Sequence, residues 1–554
     1  MSRISCAIAN TLWFLSTLAE ARRFHRSLRC CEAAQQAVLL EILRQNADTE
    51  YGRRCGFAAI RSATEYQSAV PLAEYGDLEP YIQRIAAGEQ GVLTAEPVLL
   101  LEPTSGSSAA SKLIPYTKGL KRQFQQGIDP WIAGLYRRFP SLLRGQSYWS
   151  ITPAARKPER TSGGIPVGFE DDSAYLGGFK GWLVRSVQAV PIEVKLISDM
   201  ESFWYVTILF LLRSRGLALV SVWNPTFLSI LCEHLLRWWP QLADDIAAGT
   251  LTVSVPLESS LAARLGRRNR PDAARAAEIR SVFSNNTTPA LIHRALWPRL
   301  RVISCWCDAV AAGPAEELAG LFPQAVIQGK GLIATEGFAT LPLSGHDGCL
   351  PALRSHFFEF LPEGGGEARL LHQLQAGEVY SLVITTAGGL YRYRLHDLVR
   401  VEGFHHTAPL LRFVGKTDNI SDHFGEKLHE EHVSRALRTA TERAAVHPDF
   451  AMLALDEQST PAYTLYIEAP ETADAQLRRL GEMLDELLGE SYHYRYCRDL
   501  GQLSPLRVFR ITENGRESYL RRCNALGQRL GDVKPRALHR LTGWTEVFCG
   551  RMVL

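Results

Sequence analysis

Net charge is almost missing from this sequence: 61 Lys and Arg stand against 58 Asp and Glu, leaving +3 over 554 residues. No field of one sign is available to attract nucleic acid or an anionic membrane, so partners must be sought in sites. Cysteine is sparse, odd in number at 11, and scattered. The pairs Cys30-Cys31 and Cys305-x-Cys307 lack the companion Cys or His spacing of a zinc site. Reduced, structural thiols and a cytoplasmic location are therefore expected. Unbroken apolar runs are also missing. "FWYVTILFLLRSRGLALVSVW" is interrupted at Arg213 and Arg215, short of the ~20 residues of a membrane span, and reads as a buried helix followed by a buried strand. "ISCAIANTLWFLSTLAEA" imitates a signal peptide ending in Ala19-Glu20-Ala21. Asn10, Thr11, Ser16 and Thr17 interrupt it and an Arg-rich stretch continues it, so a first amphipathic helix is expected there. No membrane or nucleic-acid partner is expected, and the chain is read as a monomer. No internal repeat is evident.

What is present is an ordinary soluble composition, 46% hydrophobic and 21% charged, with length for two to four folding units. "CEAAQQAVLLEILRQNAD" places Ala34, Val38 and Ile42 on one helical stripe beside Leu39 and Leu43. The β-rich runs "PVLLLE", "ALVSVW", "LRVISCW", "SHFFEFL", "VYSLVITT" and "LLRFVG" recur with helix-length spacers between most of them, the pattern of an α/β protein with layered sheets and helices. Beyond about residue 415 the order becomes helix, hairpin, helix, strand, helix, a small α+β unit. The expected boundary lies in "VGKTDNISDHFG", giving domains 1–414 and 415–554.

"LLLEPTSGSSAASKLIPYTKG" empties an apolar strand into small and hydroxylated residues before Lys112. Backbone N–H groups, the hydroxyls of Ser105, Ser107 and Ser108, and the Lys112 charge could close around a phosphate; the bland alternative is a polar turn between strands. The P-loop pattern is not met, because Ser111 precedes Lys112 and Leu113 follows it, and "GKT" at 415–417 has Leu410 where the first glycine belongs. Three later stretches add to the loop in order. "GKGLIATEG" offers Thr335, a hydroxyl for an α-phosphate, and Glu336, a carboxylate for Mg²⁺. "GLYRYRLHDLVRV" offers Asp397, able to accept from both ribose hydroxyls. "LLRFVGKTDNISDHFGEKLHEEHV" offers a hinge at Gly415, Lys416 and Asp418, followed by Lys427. Each also has a structural reading: Glu336 as a helix cap, Asp397 paired with Arg392 or Arg394, Lys427 as a solvated surface charge.

Taken in order, these stretches resemble the adenylate-forming superfamily of acyl-CoA synthetases and luciferase. Within it, "NADTEYGRRCGF", "VPLAEYGDLEPYIQRIAAGE", "TSGSSAASKLIPYT", "SVWNPTFL", "LWPRLRVISCWCDA" and "FGEKLHEEHV" make the chain similar to the auxin-responsive-promoter family of acyl-acid amido synthetases, its bacterial members above all. The resemblance implies a large N-terminal domain that binds ATP and an acid, and a small mobile C-terminal domain. It implies adenylation of a carboxylic acid with Mg²⁺, releasing pyrophosphate, then displacement of AMP by an amine, usually that of an amino acid. It assigns Ser105, Ser107, Ser108 and Lys112 to the β- and γ-phosphates, Thr335 to the α-phosphate, Glu336 to Mg²⁺, Asp397 to the ribose, and Lys416 with Asp418 to the hinge. Lys427, or Lys534 in "GDVKPRAL", is the charge that reaches the transferred phosphate. Alanine stands at 109 and 110 where the family loop usually has glycine, Leu332 where an aromatic is common, and Lys416 where arginine is common. The acyl pocket is expected from parts of residues 120–135, "SGGIPVG" and "SVWNPTF". Two other readings stay open: transfer of the acyl group to a thiol, of CoA or a carrier protein, and a silent nucleotide-binding protein.

Overall fold

The computed structural model describes all residues except 1–2, 105–111, 151–158, 169–177, 344, 364, 417–419, 422–425, 427, 457–460, 501, 527, 529–532, 534 and 554. Its contacts form two compact units. The larger comprises Met1–Cys307, Ala312–Leu395 and Val399–Phe413, the smaller Asp308–Ala311, His396–Leu398 and Val414–Leu554.

In the larger unit, Gln146–Trp149, Leu217–Ser221, Val302–Cys305 and Val326–Gly329 form a four-stranded parallel sheet in that order. Leu217–Ser221 and Val302–Cys305 are buried at every position, the continuous apolar pattern of strands covered on both faces. The helices Met200–Arg213 and Pro225–Ala248 join one face through Phe203, Leu209, Leu228 and Leu235, which pack with Val220, Ile303 and Cys305. The second helix starts sharply because Asn224 accepts from Thr226 N at 3.0 Å and Pro225 occupies the first turn.

A seven-stranded sheet runs in the order Thr340–Pro342, Cys349–Pro351, Ala408–Lys416, Tyr393–His405, Val379–Thr385, Phe357–Pro362, Arg369–Leu370. A third sheet pairs Leu100–Pro103 with Leu113–Tyr116, antiparallel, and Thr104 N donates to Lys112 O at 2.8 Å, closing the base of the loop 105–111.

The N-terminal helix, Arg3–Ser27, corrects the amphipathic expectation. Trp13, Phe24 and Leu28 are buried, yet Ile4, Ile8, Leu12 and Leu15 are exposed, so both faces are apolar. Of its interrupting polar residues Asn10 and Thr17 turn inward while Thr11 and Ser16 are exposed; Asn10 Nδ2 donates to Leu142 O and Gly145 O, and its Oδ1 accepts from Tyr136 OH at 2.9 Å. Among the described residues, Ile4–Ser27 is the helix long and apolar enough to cross a membrane by length and composition.

The smaller unit is built on a five-stranded sheet, ordered Leu538–His539, Phe450–Asp456, Ala462–Glu468, Arg507–Ile511, Gly550–Met552. Glu430–Ala444 and Asp474–Leu488 cover one face through Val433, Ala440, Leu477, Leu480 and Leu484. An aromatic cluster also belongs to this unit, where Trp544 stacks on Tyr519 at 5.4 Å and on Phe548 at 5.5 Å.

Candidate active site

Ser105, Ser107 and Ser108 lie outside the described residues. Lys112, where that loop rejoins the sheet, is described: its Nζ stands 3.5 Å from Tyr393 OH and 5.7 Å from the centre of the Tyr75 ring. Tyr75 also fixes the backbone there, its OH accepting from Leu113 N at 2.8 Å.

Thr335 and Glu336 form a two-residue turn between Ile333–Ala334 and Gly337–Phe338, whose register pairs Gly337 with Ala334 and Phe338 with Ile333. Glu336 therefore sits at a hairpin tip rather than at a helix cap. Only glycine fits at 337, because a Cβ there would stand 2.5 Å from Ile384 Cδ1 and 2.9 Å from His356 Nε2. Behind the turn, Phe338 N donates to His356 Nε2 at 3.0 Å. This fixes the tautomer: Nδ1 carries the proton and faces Gln123 Oε1 at 3.0 Å, which also accepts from Ala387 N at 2.8 Å. Burial drives the His356 pKa from 6.5 down to about 3, so the ring stays neutral and the hairpin keeps its acceptor. In front, Tyr116 OH donates to Thr335 O. One short strand, Leu113–Tyr116, thus follows Lys112 directly and holds Thr335 at its other end.

Asp397 is 2% exposed and accepts from Lys416 Nζ at 2.9 Å. The pairings with Arg392 and Arg394 are not formed. Arg392 is committed to Glu359 at 2.9 Å, and Arg394 to Glu74 at 3.1 Å. The two residues assigned to ribose and hinge are therefore ion-paired to each other. Asp418, Lys427 and Lys534 lie outside the described residues.

Lys330 gave no signal beyond being a lone charge in "AVIQGKGLIA". It is 3% exposed. Its Nζ donates to Ser221 Oγ at 2.6 Å and lies 5.3, 5.6 and 5.0 Å from the ring centres of Trp131, Trp149 and Trp223. Trp131 and Trp223 come from two of the segments expected to line the acyl pocket. His356 and Gln123 were likewise unread, since nothing local marks a partner 233 positions away.

Among the described residues no three His, Cys, Asp or Glu gather as a metal cage. Mg²⁺ is commonly held by one or two carboxylates together with substrate phosphates, and Glu336 at the hairpin tip offers one carboxylate that could take that part.

Comparison with known proteins follows the whole chain. The GH3 family N-terminal domain model matches residues 20–324, the GH3 family central domain residues 349–416 and the GH3 family C-terminal domain residues 431–541. Indole-3-acetic acid-amido synthetase GH3.2 of Arabidopsis thaliana is 29% identical over 442 residues, 74% of this chain and 78% of that protein. Indole-3-acetic acid-amido synthetase GH3.8 of Oryza sativa subsp. indica is 29% identical over 515 residues, 86% of this chain and 83% of that one. The structure of GH3.15 acyl acid amido synthetase superposes with a TM-score of 0.81 over 96% of this chain and 97% of its own, at 21% identity, which establishes a shared fold.

Proposed function

The chain belongs to the GH3 family, whose N-terminal model alone covers residues 20–324 of its 554, and from that premise we propose that it is an ATP-dependent acyl-acid amido synthetase of the adenylate-forming superfamily, in its bacterial branch. The observation that carries the reading is the Thr335–Glu336 turn, tied through Tyr116 to the strand that follows Lys112. A carboxylate at neutral pH is a poor electrophile, and an oxygen must become a leaving group before an amine can attack. ATP supplies it: a carboxylate oxygen bonds to the α-phosphorus, pyrophosphate leaves, and the resulting acyl-AMP gives an amide and AMP when an amino-acid amine displaces the phosphate oxygen.

The residues act by position and charge. Lys112, with Ser105, Ser107 and Ser108, holds the β- and γ-phosphates. Thr335 directs its hydroxyl to the α-phosphate, Asp397 takes the ribose hydroxyls, and Glu336 would hold Mg²⁺, which neutralises phosphate charge when bound. Domains 1–414 and 415–554 turn about Lys416 and Asp418, so that Lys534 or Lys427 reaches the α-phosphate in one orientation only. The enzyme works as a cytoplasmic monomer.

Incubation with ATP, Mg²⁺ and a broad panel of acids should release pyrophosphate and AMP; ADP as product would reject adenylation. With a productive acid, amino acids should accelerate AMP release and CoA should not. Acceleration by CoA alone would assign a thioester ligase instead.

A further inference from the structure

The outward face of the helix Arg3–Ser27 takes no part in the adenylation chemistry. At about 100° per residue, Ile4, Ile8, Leu12, Leu15, Arg22 and Arg26 fall within an arc of about 80°. All six are exposed, the four apolar ones by 42–73%. The opposite face, with Trp13, Phe24 and the bonded Asn10, is held by the larger unit, so the helix lies along the protein instead of crossing a bilayer. Beside it the helix Gly178–Val187 buries Leu183, Val184 and Val187 in the same core as Trp13. It leaves Phe179 and Trp182 59% and 57% exposed, their rings stacked 6.3 Å apart. Single apolar side chains in water are ordinary, but a continuous stripe with a neighbouring aromatic pair marks a place for something apolar.

The far end of the stripe shows the charge such a partner must carry. A net charge of +3 averages over the chain and conceals a local excess: residues 21–31 contain Arg22, Arg23, Arg26 and Arg29, all exposed, and no Asp or Glu. The acid just before them, Glu20, is 8% exposed and accepts from Arg354 Nε at 2.6 Å. Positive charge continues past the helix, because exposed Arg137 lies close enough to His25 to depress its pKa, after the larger effect of burial. A stripe of Ile and Leu that runs into arginines, beside Trp and Phe, fits the boundary of an anionic bilayer. Aliphatic side chains enter the acyl region while Arg and Trp stay among the headgroups. A second copy of this chain offers no such match. The exposed positions of Ile4–Arg29 include no carboxylate, so pairing two of these helices about a twofold axis leaves the arginines without counter-charge.

We propose that the outward stripe of Arg3–Ser27, together with Phe179 and Trp182, is a docking surface for an anionic lipid membrane, which the protein binds peripherally and reversibly. From Ile4 to Leu15 the helix runs about 17 Å, so its amino-terminal half dips into the bilayer surface while the arginine end rests on the phosphates. Four aliphatic side chains and two rings make a shallow hold. Attraction between arginines and headgroups must therefore supply a large share of the binding, and salt must weaken it. The surface stands apart from the synthetase reading and survives if that reading fails.

Co-sedimentation of the full chain with vesicles tests it, using phosphatidylcholine and phosphatidylglycerol in equal parts against phosphatidylcholine alone, at low salt. The partition coefficient should be about tenfold or more higher on the anionic vesicles, and rising salt should erase that preference. Leu12→Asp/Leu15→Asp should abolish sedimentation with either vesicle while keeping the native urea midpoint, because both side chains already face water. Arg22→Gln/Arg26→Gln keeps the apolar stripe and should lower partition onto the anionic vesicles about tenfold or more, with little change on the neutral ones. This pair serves alone should the aspartate variant fail to fold. No binding to anionic vesicles, equal binding to both kinds, or unchanged binding in a folded variant of either pair would overturn the proposal. So would a native mass that rises with concentration in sedimentation equilibrium, is constant in Leu12→Asp/Leu15→Asp, and comes with no vesicle binding; the face would then belong to a second copy.

Discussion

Arg392 and Lys330 lie in the same unit, 7% and 3% exposed, and are held by opposite chemistry. The Arg392 guanidinium meets fixed acceptors on every side: Nε reaches both Glu359 oxygens at 3.1 Å, Nη2 reaches Oε1 at 2.9 Å, and Nη1 donates to Gln67 O at 2.8 Å and Val70 O at 2.7 Å. These bonds hold Arg392 at φ 45°, a conformation a bulky side chain seldom adopts. The Lys330 ammonium meets a hydroxyl and the faces of three indoles, beside donors that lack acceptors. A cation matched by the protein's own carboxylate is a fastener. Lys330 is seated instead against a neutral hydroxyl and π faces.

The largest expected effect falls on the fastener. Arg392→Met leaves Glu359, 1% exposed, as a buried charge without its guanidinium, which should cost about 3–5 kcal/mol in urea unfolding. Removing both charges in Arg392→Met/Glu359→Leu should recover much of it. A loss under about 1 kcal/mol for the single variant would break the comparison. Next comes the carboxylate proposed to hold Mg²⁺: Glu336→Gln should lower acyl-AMP formation by about 10²–10³. Normal turnover would make Glu336 a mere turn residue.

Local pattern explains what was legible beforehand and what was not. The β-rich runs fall on Val302–Cys305, Phe357–Pro362 and Val379–Thr385, and the helix-then-strand reading falls on Met200–Arg213 and Leu217–Ser221. Burial on one or both faces writes itself into spacing within a single element. The candidate site residues could be read as types in order, but not their partners. Tyr116 and Thr335 are 219 positions apart, and the Trp149–Ser221–Ser304–Gln328 row exists only once the strand register is known. The N-terminal helix misled for a related reason: Asn10 reads as a solvent-facing interruption, and only the fold supplies the carbonyls that satisfy it inside.

Acid would create a further buried cation, with no carboxylate on either ring nitrogen. His356 Nε2 faces the Phe338 N–H and Nδ1 faces a neutral amide. Burial lowers its pKa from 6.5 to about 3, so the unfolded chain takes a proton that the native state refuses. The stabilisation is complete above about pH 6.5 and falls as pH drops toward 3, by up to roughly 1.4 kcal/mol per pH unit. His293, lowered by burial to about 4, and His539, lowered chiefly by burial to about 3, add slopes of the same sign. Urea unfolding at pH 7 and 5.5 should therefore show His356→Gln losing less stability over that interval than the native chain. An equal loss would mean that His356 titrates alike in both states.

The smallest effect is the sharpest contrast. Lys330→Met makes the same chemical change as Arg392→Met, a buried cation replaced by an unbranched thioether, at a site just as closed to water. The substitution gives up a bond to Ser221 and cation–π attraction of roughly 0.5–2 kcal/mol. Against that, it no longer confines an ammonium away from water, it fills a similar volume, and its sulfur gains contacts with indoles of about 0.3–1.5 kcal/mol. The bond to Ser221 is to a neutral hydroxyl, whereas Arg392 is bonded to a buried carboxylate, whose loss of a partner dominates there. The sum should lie within about 1 kcal/mol of the native stability, in either direction. Should Lys330→Met instead cost about 3 kcal/mol or more in the same urea experiment, Lys330 would belong with Arg392 as a fastener, and the distinction between the two cations would fail.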